Sequence, residues 1–163
     1  MIHHLSIPAS DPQRVAGVLA ELFGGVCIPF PPIPGAFIAL AQDRHGTAVE
    51  VYPADGQLKP NGDEGAEFVR SGQAATPGAV HFALSVDRDL ASIEAIARRE
   101  GWALHVCDRG GDFGVVEFWV ENRFMIELLP PDFAARYLAF TGRFIATDKP
   151  ADLMASHQRP VPA

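Results

Sequence analysis

The spacing of apolar and polar positions changes period along the chain, and the same series of changes occurs twice. "HHLSIPA" (3–9) alternates as a half-buried strand does, and the next run, 11–23, puts Val15, Val18, Leu19 and Leu22 on one helical stripe. "SDPQ" opens that helix, with Ser10 or Asp11 as cap and Pro12 in its first turn, and Gly24-Gly25 closes it. Short runs near 26–30, 36–42 and 47–53 predict three more strands. From 79 the series starts again: a strand at 79–86, a helix at 88–100 with Leu90, Ile93, Ile96 and Ala97 inward, and Gly101 as its stop. Strands near 103–107, 115–120 and 124–129 follow. The pattern predicts an α+β protein made of two βαβββ modules.

The two copies align without adjustment at their ends. "AVEVYP" (48–53) matches "MIELLP" (125–130), and "HHLSIPA" matches "VHFALSV" (80–86), so His4 and Glu50 correspond to His81 and Glu127 at one constant offset of 77 positions. Strand parity then sets the faces. Val49/Val51 and Ile126/Leu128 lie toward the helices, as do Leu5/Ile7 and the set Val80, Phe82, Leu84 and Val86. His4, Glu50, His81 and Glu127 lie opposite.

Glu127 poses the problem most sharply. It sits within "FMIELL" (124–129), where a bare carboxylate would be costly unless a cation or hydrogen-bond donors meet it. Any one of the four residues alone would usually be a polar core residue satisfied by backbone or water. Two imidazoles and two carboxylates at matched spacing and parity instead suit a divalent metal, provided the two sheets share their uncovered, concave side. A metal is therefore the expected partner of Glu127.

Composition narrows the setting. At 163 residues, 48% hydrophobic and 20% charged, the chain has the make-up of one globular domain or two small modules sharing a core. A net charge of −7, with no basic cluster, argues against nucleic acid as a partner. No apolar run reaches membrane-spanning length, and "MIHHLSIP" does not read as a signal peptide. Cys27 and Cys107 are too few for a disulfide framework, which points to reduced thiols and a cytoplasmic location.

With His on the first strand and Glu on the last of each unit, and with "HFALSV" and "IELLP" as local wording, residues 2–130 resemble the vicinal oxygen chelate superfamily. That group includes glyoxalase I, extradiol dioxygenases, fosfomycin-resistance enzymes and bleomycin-binding proteins. The resemblance implies a glyoxalase-like fold, a curved mixed sheet holding a metal cleft. It also implies one divalent ion (Zn, Ni, Co, Fe or Mn) on His4, Glu50, His81 and Glu127. A carboxylate at position 50 is the pattern of glyoxalase I and tilts the expected activity toward a lyase or isomerase that chelates vicinal oxygens of a small substrate. By analogy with glyoxalase I, Glu127 is the first choice for the catalytic base and Glu50 the second. The alternatives are an iron-dependent dioxygenase in which Glu50 is not a ligand, and a bleomycin-resistance-like binder without catalysis. Members often form homodimers, some with clefts built from modules of different chains, and a homodimer is expected here.

The expected organisation is a first module at 1–53, a connection at 54–78, a second module at 79–130, and a C-terminal helix with a loose tail at 131–163. The connection reads as a solvated linker or as a loop bringing Phe68 or Arg70 to the cleft. Tyr52, Met125 and Leu129 beside the carboxylates suggest an apolar substrate. "GGDFG" (110–114) reads as a hairpin turn, and Phe133, Tyr137, Leu138 and Phe140 are available to pack the last helix.

Overall fold

The computed structural model describes residues 2–61, 65–72, 78–148 and 151. The first module is β1 (His4–Ala9), α1 (Pro12–Phe23), β2 (Val26–Pro29), β3 (Phe37–Leu40) and β4 (Ala48–Pro53). A hairpin follows, β5 (Gly56–Pro60) and β6 (Ala66–Arg70). The second module is β7 (Phe82–Ser85), α2 (Leu90–Glu100), β8 (Leu104–Arg109), β9 (Phe113–Val120) and β10 (Phe124–Leu129), and α3 (Pro131–Ile145) completes the described chain.

Both module helices are bounded by the same chemistry. Asp11 accepts a hydrogen bond from the Arg14 amide and Asp89 from the Ser92 amide, each satisfying a donor in an open first turn. Gly24 and Gly101 end the helices in the left-handed conformation, at φ 67° and 73°, which costs glycine little.

Each module closes one mixed sheet, in the orders β1-β4-β3-β2 and β7-β10-β9-β8, with the first pair parallel and the others antiparallel. Register reproduces the repeat: Ser6 lies opposite Glu50, and Ala83 opposite Glu127. The two modules thus contribute two four-stranded mixed sheets. Helix-side residues of both, among them Val49 and Val51 of one and Ile126 and Leu128 of the other, belong to one core, and β1 and β7 border a cavity lined by His4, Leu5, Phe82 and Leu84. One hydrophobic cluster, from Ile7 and Leu19 through Ile93 and Phe118 to Leu128, runs through both modules. The carboxylate faces therefore lie on the outer sides of this joint core.

Polar contacts lock the modules together. Arg14 Nε reaches Glu100 at 2.6 Å, and Arg99 bridges Glu100 and Glu21 at 2.7 Å each. Glu121, in the β9–β10 turn at φ 50°, accepts from the amides of Ser10 and Asp11 at the start of α1, at 2.7 and 2.8 Å.

Three elements depart from expectation. β7 is shorter than the predicted 79–86, because its ladder with β10 begins at Phe82; Val80, expected under a helix, is 76% exposed. The connection carries the β5–β6 hairpin, and β8 runs two residues beyond its predicted end, to Arg109. In α3, Tyr137 and Phe140 pack on Phe113 as expected for this helix, whereas Leu138 is 66% exposed. The expected loose tail falls largely on 149–150 and 152–163, outside the described residues. Among the described residues no helix is long and apolar enough to cross a membrane.

Candidate metal centre

On the outer face of the first sheet, cross-strand register aligns Ser6, Glu50, Ile38 and Ile28 in one row and His4, Ala48, Leu40 and Val26 in the next. Glu50 is 8% exposed, and its Oε2 accepts from both Ser6 Oγ and Tyr52 OH at 2.7 Å. Those two hydroxyls fix the carboxylate and leave Oε1 as the oxygen turned toward His4, 3.9 Å from its Nε2. Burial first, and then its bond to Glu50, raises the Tyr52 pKa, so Tyr52 stays a donor at neutral pH.

This pair has the donor chemistry of half a metal site. Two ligands of one ion at bond lengths of about 2.0–2.2 Å stand roughly 3 Å apart, against 3.9 Å here, and the His4 ring is exposed.

The corresponding row of the second sheet is Ala83, Glu127, Glu117 and His105. Here the environment differs for a reason visible in the repeat. Positions 6 and 52, whose hydroxyls hold Glu50, correspond to Ala83 and Leu129, which cannot donate. Glu127 is instead met by Arg109, whose Nη2 lies 2.6 Å from its Oε1 and 2.9 Å from Glu117 Oε1. The bond to Glu127 is the main cause of a raised Arg109 pKa, and the bond to Glu117 adds to it. Cys107, on the same face, has its pKa raised by burial and then by Glu117.

The four expected ligands thus stand in different surroundings. His4 and Glu50 are adjacent. Within the chain the cation that meets Glu127 is Arg109. His81 falls just outside β7, exposed, with Nδ1 2.9 Å from the Ala79 carbonyl oxygen. Among the described residues no three His, Cys, Asp or Glu side chains form a group that could hold a metal. The outward direction of both carboxylate faces is the physical reason. His3, just before β1, turns its ring to the His45 carbonyl at 2.8 Å.

Arg109 is not among the residues that the sequence pattern singles out. Strand parity carries it, since residues 105, 107 and 109 share the Glu117 face, but the strand was expected to stop at 107.

The connecting hairpin stands beside the first carboxylate. Phe68 meets the Tyr52 ring edge-on at 5.7 Å, and Phe30 stacks on Tyr52 at 6.1 Å. Arg70 pairs with both oxygens of Asp55 at 2.7 and 2.9 Å at the hairpin's base.

No protein-family model matches the sequence, and no curated protein matches it. Solved structures do. The chain is similar to a genomically encoded fosfomycin resistance protein, FosX, from Listeria monocytogenes, with a TM-score of 0.52 and 13% identity over 78% of this chain and 90% of that one. It is also similar to a trypanothione-dependent glyoxalase I from Leishmania major, with a TM-score of 0.50 and 16% identity over 88% of this chain and 98% of that one. These likenesses show a glyoxalase-like fold built from paired βαβββ modules.

Proposed function

We propose that the protein is a metal-dependent lyase or isomerase of the glyoxalase type, acting in the cytoplasm on a small substrate that offers two adjacent oxygens. The observation that carries this reading is the His4–Glu50 pair, in which two hydroxyls hold one carboxylate oxygen and leave the other toward the imidazole. His4, Glu50, His81 and Glu127 make up the ligand set, for Zn, Ni, Co, Fe or Mn. Because the carboxylate faces lie on opposite sides of the joint core, the set is completed in a homodimer, with the Glu127 face of one copy against the His4–Glu50 face of another. The half-exposed Val26 and Ile28 beside that pair support burial there.

When bound, the ion supplies Lewis acidity that stabilises an enediolate-like oxyanion. The chain supplies the base. Glu50, tied by Ser6 and Tyr52, would serve as a fixed ligand, whereas Glu127, released from Arg109, would exchange its place in the ligand set for the role of base toward the proton alpha to the carbonyl. Arg109 then retains Glu117 as its counter-ion.

A second reading draws on the Arg109–Glu127 contact: a ligand-binding protein of the bleomycin-resistance type, in which that ion pair is permanent. Calorimetric titration with Ni(II) and Zn(II) of the natural chain, Glu50→Gln and Glu127→Gln separates these. The lyase reading predicts binding that both substitutions weaken. Binding untouched by Glu50→Gln would favour a two-His-one-Glu dioxygenase, and no binding by any form would favour the binder.

A further inference from the structure

We infer that the β5–β6 hairpin is a specificity element: with Tyr52 and Phe30, Phe68 forms a wall that receives an aryl group of the substrate beside Glu50. The inference rests on the reading of His4–Glu50 as the reacting centre and adds the class of substrate to it.

Three contacts run from the hairpin to the carboxylate, and Phe30 joins them from the side at Tyr52. Phe68 folds back over Gly56, where a Cβ would overlap its ring, so the glycine makes room for that rotamer. The Phe68 edge meets Tyr52, the Tyr52 face meets Phe30, and the Tyr52 hydroxyl donates to Glu50. All three rings are half-buried, leaving part of each aromatic surface open.

The wall is also fixed at its base. The Arg70–Asp55 pair and the 2.6 Å bond from the Ser71 amide to the Asp55 carbonyl close the hairpin. Arg70 Nη2 adds a 3.4 Å contact to the Pro34 carbonyl in the β2–β3 loop. A rigid set of rings loses little freedom when a flat ligand arrives, and offset or edge-to-face contacts favour an aryl group over an alkyl group of equal polarity. A solvated linker has no use for a phenylalanine held over a glycine at this position.

Benzohydroxamate and acetohydroxamate provide the test, since they share a head with two adjacent oxygens and differ in phenyl against methyl. Both are titrated into the full chain with and without one equivalent of Co(II), and Co(II) uptake is measured separately. The wall predicts that benzohydroxamate binds about tenfold or more tightly than acetohydroxamate. Phe68→Ala should cut the ratio to about threefold or less, chiefly through lost benzohydroxamate affinity. Gly56→Ala should do the same while Phe68 is retained, because the added Cβ displaces its ring, and this guards against loss of the hairpin in Phe68→Ala. If the metal reading alone is wrong, Co(II) is not taken up but the aryl preference persists in the metal-free arm. Equal binding of the two probes, a preference that survives both substitutions, or no binding in either arm would overturn the wall.

Discussion

Arg109 and Glu127 form the shortest ion pair on the outer face of the second sheet, 2.6 Å from Nη2 to Oε1, and Glu117 shares the same nitrogen at 2.9 Å. Glu117 and Glu127 are direct cross-strand neighbours, so without the guanidinium two like charges would face each other. Arg109→Met should lower stability by about 2 kcal/mol, less than for a fully buried pair because Arg109 keeps 38% exposure. Adding Glu117→Gln should recover part of the loss. Urea unfolding at neutral pH measures both, and a loss that the second substitution leaves untouched would show that charge opposition is not its source.

On the first sheet the same carboxylate position depends on hydroxyls. Tyr52→Phe and Ser6→Ala each remove one donor from Glu50 Oε2. Each should cost about 1–2 kcal/mol in stability, the range for a hydrogen bond to a charged group in a partly exposed setting. Each should also weaken metal binding by about tenfold, as expected for a group that orients a ligand. Competition titration against a chelating dye reads the second effect, and unaltered affinity in both variants would separate Glu50 from the metal.

The joint between the modules should be sensitive to acid. Burial by itself would raise the Glu100 pKa, but bonds from Arg99 and Arg14 outweigh it, and the carboxyl lies below its ordinary value. A depressed folded-state pKa gives stability that is present above the unfolded value, about 4.3, and lost as pH falls through the folded one. Glu100→Gln should therefore remove about 1–2 kcal/mol at pH 7, discounted because both arginines are half exposed, and less at pH 3. Denaturation curves at the two pH values check it; an equal loss at both would point to packing rather than charge.

The proposed shared cleft requires two copies of the chain. Light scattering at micromolar concentration should give a dimer mass, and Ile28→Asp, which places a charge in the half-exposed row beside Glu50, should give a monomer. A monomer mass for the natural chain would remove the shared cleft.

The repeat, the helices with their caps, and the faces of His4, Glu50 and Glu127 were legible in the sequence because period and parity are local properties. Arg109 was hidden by an end effect: a glycine-rich turn made β8 look two residues shorter than it is. The β5–β6 hairpin was hidden by its composition, since "GQLKP" and "AEFVR" carry Gly, Pro and charges that mask a weak alternation. The direction in which the modules pack lies beyond any local pattern. It depends on two apolar helix sides burying each other, and that choice separates the four expected ligands within one chain.

The central claim is that His4 and Glu50 are half of a metal site completed by His81 and Glu127. Anomalous diffraction from crystals of the full chain grown with Co(II) tests it most directly. The account predicts one strong peak per chain, bonded to His4 Nε2 and Glu50 Oε1, with Glu127 drawn off Arg109 to the ion across a two-fold interface. A peak elsewhere, or no peak with Glu127 still on Arg109, would contradict it.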